Sequence, residues 1–173
     1  FGPIGQARYR DYATDIMKSG RHMHELVNDI LTMAKLDAGR FDIYPEELEL
    51  RRTVKNTLSM FMGTEMAQGR EILVAEGVEW PRLSADKRAL KQMLLNLLTN
   101  AAKFSLPGGS VELEVRGDAE CQQVTFLVRD QGIGIAPEDL GRLFQPFTQL
   151  DSRLSRQYEG TGLGLALVRR IAE

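Results

Sequence analysis

Gln92, Asn96, Asn100 and Lys103 follow one another at spacings of four, four and three residues. On an α-helix that spacing stacks the four side chains in one strip. A carboxamide oxygen is a hard ligand suited to Mg²⁺, and a lysine ammonium is a point charge suited to phosphate. Asparagine is also a poor helix-interior residue, because its amide competes with the backbone for hydrogen bonds. Set among Leu90, Met93, Leu94, Leu97, Leu98 and Ala101, two asparagines and a lysine suggest a polar groove. The plainer alternative is a helix with a solvated outer edge. Two glycine-rich stretches follow: Asp130-x-Gly132-x-Gly134 and Gly160-Thr161-Gly162-Leu163-Gly164. Each alone reads as a tight turn. No GxxxxGK[ST] pattern occurs, so this is not a P-loop. The order of the elements says more than any one of them.

The polar strip belongs to a helix of about five turns, Asp86–Ser105, with Ser84 or Asp86 available as N-cap. Pro107-Gly108-Gly109 then makes a turn. Strands Ser110–Arg116 and Gln122–Arg129 alternate apolar and polar residues and predict an antiparallel hairpin joined by Gly117–Cys121. Pro137–Leu143 reads as a short helix with proline near its start. Gln145–Glu159 lacks periodicity and reads as a mobile loop, and Leu165–Ile171 as a last helix. Upstream, Phe1–Gly5 is a loop and Ala7–Ala38 a long helix. Its seam of Ala13, Ile16, Gly20, Met23, Val27, Ile30 and Ala34 is spaced 3,4,3,4,3,4, the pattern that packs helices into bundles. Such a stripe needs partner helices: either this is half of a hairpin or it pairs with another chain. Gly39 ends the helix. Phe41–Tyr44 reads as a strand, Leu48–Ala67 as an amphipathic helix, Ile72–Ala75 as a strand and Pro81–Ser84 as an extended piece.

The chain has 173 residues, 43% apolar and 27% charged, with a net charge of −2. That composition builds a real core and makes no case for nucleic acid or an anionic membrane surface. The single cysteine, Cys121, cannot form an internal disulfide and fits a reducing, cytoplasmic compartment; no zinc pattern surrounds it. No apolar run approaches the length of a membrane span, and the start is not a signal peptide. A parent protein could still be membrane-anchored through segments outside this chain.

The ordered motifs resemble the sensor histidine kinase family. Asn96–Ser105 resembles its N box, Asp130–Ile135 its G1 box, Leu143–Phe147 its F box and Gly160–Leu165 its G2 box. Leu26–Phe41 resembles the second helix of the family's dimerisation hairpin and its exit into the ATP-binding domain. The FGPIG opening resembles the PleC/DivJ-like branch. The resemblance implies an α+β fold: half of a helical hairpin over residues 1–39, then a Bergerat-type α/β sandwich over 40–173, incomplete at its C-terminal end. It implies ATP and Mg²⁺ as ligands. Asn100 would be the metal ligand, with Asn96 one turn back orienting phosphate and metal and Lys103 neutralising phosphate charge. Asp130 would accept from the adenine amino group as a buried, ionised acceptor, and Gly132 and Gly134 would let backbone approach the purine. Gly160, Thr161, Gly162, Leu163 and Gly164 would face the phosphates with backbone N–H groups and a helix N-terminus. Phe104 would pack beside the nucleotide, whereas Phe144 and Phe147 suit lid anchoring and core packing.

The resemblance also bears on the reaction. Relatives that hydrolyse ATP carry a glutamate four residues before the metal asparagine. An amide at position 96 cannot take a proton at neutral pH, which argues against efficient hydrolysis. The γ-phosphoryl group is then kept for a histidine, and after it for a response-regulator aspartate. One departure stands out: Gln149 occupies the place after the F box where some members have arginine, with Arg153 and Arg156 as substitutes from the loop. The chain's two histidines, His22 and His24, do not fit the acceptor. His24-Glu25-Leu26 imitates the acceptor box, but Asp29 stands at its proline position and too little chain separates it from the ATP domain. The acceptor is therefore expected upstream of Phe1, missing strands after Glu173, and a homodimer through the N-terminal helix. The competing readings are a pseudokinase, acting as a nucleotide-binding or dimerisation module, and a steady ATPase.

Overall fold

A computed structural model describes residues 7–75, 80–118, 120, 122–149 and 160–173. The expectations for Phe1–Gly5, for Cys121, and for Arg153 and Arg156 lie outside the described residues. The chain divides into two units, residues 1–41 and 42–173.

The first unit is one helix, α1 (Ala7–Asp37). Gly39, at φ +63°, ends it. The Gly39 and Arg40 N–H groups donate back to the carbonyls of Leu36 and Lys35, which satisfies acceptors the helix would otherwise leave open. The apolar seam is uncovered: Ile16 is 72% and Met23 65% exposed, with Val27 and Ile30 also exposed. His24 Nδ1 lies 3.1 Å from the Asn28 amide nitrogen one turn on. No helix among the described residues is long and apolar enough to cross a membrane.

The second unit lays helices on a three-stranded sheet. Its elements are β1 (Glu46–Leu48), α2 (Leu50–Met62), β2 (Glu71–Ala75), β3 (Leu83–Ala85), α3 (Lys87–Phe104), β4 (Ser110–Asp118), β5 (Gln123–Asp130) and α4 (Gly164–Ala172). The sheet order is β2-β4-β5, with β1 and β3 forming a separate antiparallel pair. β2 and β4 are parallel, so the chain between them must cross over, and α3 makes that crossover. β4 and β5 form the antiparallel hairpin, with Leu113 opposite Val128 and Val115 opposite Phe126.

Alternation decides which face is core. Val111, Leu113 and Val115 are buried against the helices. Glu112 and Glu114 point the other way and pair with Arg129 across the strands, at 3.4 and 2.7 Å. Together with a hydrogen bond from Arg116, this Arg129 contact lowers the Glu114 carboxyl to about 2. Leu90 and Leu94 of α3 pack with Leu50 and Val54 of α2 against Leu113 and Val115. Leu98, Ala101 and Ala102 pack with Phe61 and Val111. Each such leucine contributes about 2 kcal/mol through burial.

Two local expectations are corrected and a third is refined. Phe41–Tyr44 is not a strand; strand pairing starts at Glu46, beyond Pro45. The Tyr44 N–H donates instead to the Asp86 carboxylate at 3.1 Å. α2 stops at Met62 rather than Ala67, because Gly63 ends it and Glu65–Ala67 turns as a separate 3₁₀ piece. Pro137–Arg142 is the short helix expected over Pro137–Leu143, wound as 3₁₀.

Candidate functional site

α3 holds the polar strip, and its two ends are built differently. At the N-terminus the cap is Asp86, not Ser84: its carboxylate accepts from the Arg88 and Ala89 N–H groups at 2.8 and 3.2 Å. It also accepts from the Tyr44 N–H and from the Arg88 guanidinium at 3.0 Å. The Arg88 hydrogen bond, followed by the backbone donors, holds this carboxyl far below the usual range although burial opposes it. The Arg88 guanidinium carbon lies over the Tyr44 ring, 5.6 Å from its centroid. The start of the helix is thereby tied to the segment that leads into the unit.

Toward its C-terminus α3 turns Asn96, Asn100 and Lys103, all half-buried, to α4 and the segment before it. The Asn96 amide donates to the Gly164 carbonyl at 3.2 Å, and Gln92 reaches the Asn96 oxygen at 3.5 Å. A Cβ on Gly164 would lie 3.7 Å from the Asn100 amide nitrogen and 3.8 Å from Asn96. A Cβ on Gly160 would sit 2.5 Å from the Lys103 ammonium nitrogen. Burial pushes the Lys103 ammonium down from its ordinary value, and that ammonium lies 5.0 Å from the Phe104 ring centroid. The helix strip and the second glycine stretch thus meet.

The first glycine stretch meets the same helix end. Ser105 and Gly132 form an antiparallel bridge. A Cβ on Gly132 would strike the Phe104 carbonyl and the Asp130 carboxylate, so only glycine fits there. The Gly132 N–H donates to Asp130 Oδ1 at 2.9 Å. Gly134, at φ +69°, completes the turn. The third segment joins through Gly162. It has φ +68°, and a Cβ there would meet the Phe147 and Thr148 backbone at 2.9–3.0 Å.

Some expected placements are corrected. Asp130 is exposed, not buried: it ends β5, at the rim of the sheet. Phe144 and Phe147 are 41% and 66% exposed, so neither is a core residue. Phe147 holds φ +59°, a conformation unusual for an aromatic residue. Leu163 turns its side chain into the core, where it is fully buried, and its N–H donates to the Thr161 hydroxyl at 3.0 Å.

Reading by motif alone missed two contacts. One is the Tyr44 bond to Asp86; the other is the Gln149 amide, which donates to the Gly160 carbonyl at 2.5 Å. Neither has a local sequence signal, because the partners lie 42 and 11 residues apart.

The donor set suits a magnesium–phosphate ligand. Half-buried carboxamides and an ammonium face glycine backbone with no side chain between them. Among the described residues no group of three His, Cys, Asp or Glu gathers to hold a metal. Mg²⁺ needs no such cage, since it keeps waters and shares its coordination with phosphate.

Residues 85–173 match the family of histidine kinase-, DNA gyrase B-, and HSP90-like ATPases. The chain is 42% identical over 173 residues to the non-motile and phage-resistance protein of Caulobacter vibrioides, covering 99% of this chain and 20% of that one. It is 36% identical over 187 residues to the cell-division control histidine kinase PdhS of Brucella suis, covering all of this chain and 17% of that protein. The chain thus spans about a fifth of the length of the curated relatives it matches. Among solved structures, full-length ShkA in complex with AMPPNP aligns with a TM-score of 0.80 and 33% identity, over 96% of this chain and 34% of that one.

Proposed function

The chain belongs to the sensor histidine kinase family, with a Bergerat-type α/β fold behind a long N-terminal helix, and from that premise we propose that it binds Mg·ATP and presents the γ-phosphoryl group to a histidine. The observation that carries this reading is the facing of Asn96 and Asn100 onto Gly164, with Lys103 against Gly160. Asn100 holds the metal and Asn96 orients it with the phosphates. Lys103 offsets phosphate charge, and its burial strengthens that attraction. The Gly160–Gly164 backbone and the start of α4 receive the phosphate oxygens; of the residues between, Thr161 first has to give up its bond to Leu163. Gly134 leaves open space for the purine, Gly132 lets the strand end pack against α3 beside it, and Asp130 becomes buried only when the base covers it. Phe104 flanks the base. The bound Mg²⁺ supplies neutralisation of the charge that builds on the transferring group.

What this chain contributes is placement. Phosphoryl transfer depends mainly on alignment and charge. Asn96 offers no carboxylate to activate water, so the phosphoryl group is held for an imidazole. His24 is not that acceptor; a histidine outside this chain is, and a response-regulator aspartate receives the group next. α1 supplies the homodimer contact through its exposed apolar seam. The structural neighbour ShkA, solved in complex with AMPPNP, supports the nucleotide.

The test is incubation of the full-length protein with γ-labelled ATP. Acid-labile, alkali-stable label on the protein supports the proposal. Nucleotide binding without label makes the protein a binding module, and steady phosphate release makes it an ATPase.

A further inference from the structure

Two runs of backbone lie side by side at the edge of the site. Residues 147–149 form one and residues 160–162 the other. Gly162 fits against the Phe147 and Thr148 backbone with no space for a Cβ. Phe147 holds its left-handed φ beside that contact. At the end of the first run the Gln149 amide donates to the Gly160 carbonyl. On its other side, Gly160 abuts the Lys103 ammonium. Gln149 is itself exposed, and an exposed neutral hydrogen bond adds little to folding. Its effect is therefore geometric.

We propose that Gln149 is a positioning residue: by holding the Gly160 carbonyl it fixes Gly160 against Lys103 and so sets where the ammonium meets a nucleotide phosphate. The chain of contact is short and physical. The ammonium ends a flexible four-carbon stem, so its location depends on what lies against it. Gly160 is the backbone that lies there, and Gln149 is the side chain that holds Gly160. Loss of the amide lets Gly160 drift, and Lys103 with it. This inference rests on the nucleotide-binding reading above.

The test is nucleotide affinity by calorimetry in the full-length protein, with Mg·ADP and Mg·AMP-PNP as probes. Q149A removes the donor. Q149E keeps the shape but, once ionised, sets a carboxylate against the Gly160 carbonyl. Each weakens both nucleotides about five- to tenfold and by the same factor, with an unchanged melting temperature. Q149R, whose guanidinium donates to a carbonyl, stays within about twofold of the original protein for Mg·ADP. In a K103M background Q149A adds no further loss, because its effect passes through Lys103. Losses that multiply in the double variant overturn the proposal. So does a loss confined to AMP-PNP, which makes Gln149 a direct contact of the γ-phosphate, or a Q149A protein that binds as tightly as the original. If the unaltered protein binds neither nucleotide, the functional reading itself falls, and this inference with it. Normal binding that is insensitive to Gln149 removes the inference alone.

Discussion

The two ends of α3 use polar groups in opposite ways. At its N-terminus Asp86, with a side chain only 3% exposed, is surrounded by donors from Tyr44, Arg88 and Ala89. Along its C-terminal half Asn96, Asn100 and Lys103 are half-buried and face glycine backbone. A buried carboxylate without donors is costly, so the first end has to be fully satisfied within the fold. The second end sets its amides against glycine backbone, Asn96 donating to the Gly164 carbonyl, and in the function proposed above this is where the ligand binds. One helix is anchored by closed electrostatics at one end and meets glycine backbone at the other. Its apolar remainder, with Leu94 and Leu98 almost wholly buried, keeps both ends in register on the sheet.

If that contrast is right, damage at the two ends separates stability from binding. D86A removes the helix cap and strands the Tyr44 N–H, and it lowers unfolding free energy by about 2 kcal/mol in chemical denaturation. The folded fraction still binds Mg·ADP. A loss of affinity without loss of stability would put Asp86 in the site instead.

The pH dependence sharpens the same point. Folding holds the Asp86 carboxyl below its ordinary value, so its contribution is fully present above about pH 4 and is lost as pH falls below that. D86N, which still caps a helix, lowers stability at neutral pH and flattens the acid limb of the stability curve. An unaltered acid limb would contradict the assignment.

N96A gives the reverse pattern to D86A. It removes the hydrogen bond to the Gly164 carbonyl and the longer one from Gln92, both partly exposed, and lowers stability by about 1 kcal/mol or less. Mg·ATP affinity falls by about tenfold or more. If N96A destabilises as much as D86A, the contrast between the ends is lost. The smallest effect is that of R88A. The Arg88 side chain is 75% exposed, so removing it changes thermal unfolding little, and the backbone caps on Asp86 remain.

Local pattern carried the elements far better than the contacts between them. α3, the β4–β5 hairpin and α4 were legible because periods of 3.6 and 2 are written into single stretches of chain. So was the shared strip of Asn96, Asn100 and Lys103, since spacing alone puts them together. The strand expected over Phe41–Tyr44 failed because Tyr44 spends its N–H on a carboxylate 42 residues away. Phe144 and Phe147 suit a core by residue type, yet both are exposed, because burial is decided by tertiary placement that residue type does not carry. Asp86 was visible as a candidate cap and invisible as the tie to Tyr44. Gln149 was noticed only as a departure from a pattern, and its partner at Gly160 emerged from the folded backbone.

The most direct measurement is the Mg²⁺ dependence of nucleotide affinity in the original protein and in N100A. AMP-PNP titrated with and without Mg²⁺ should bind about tenfold or more tightly with the metal in the original protein. In N100A, with an unchanged melting temperature, that gain should vanish. The same gain in both proteins would show that the metal is held without Asn100, and the reading of this helix face as a magnesium–nucleotide site would not stand.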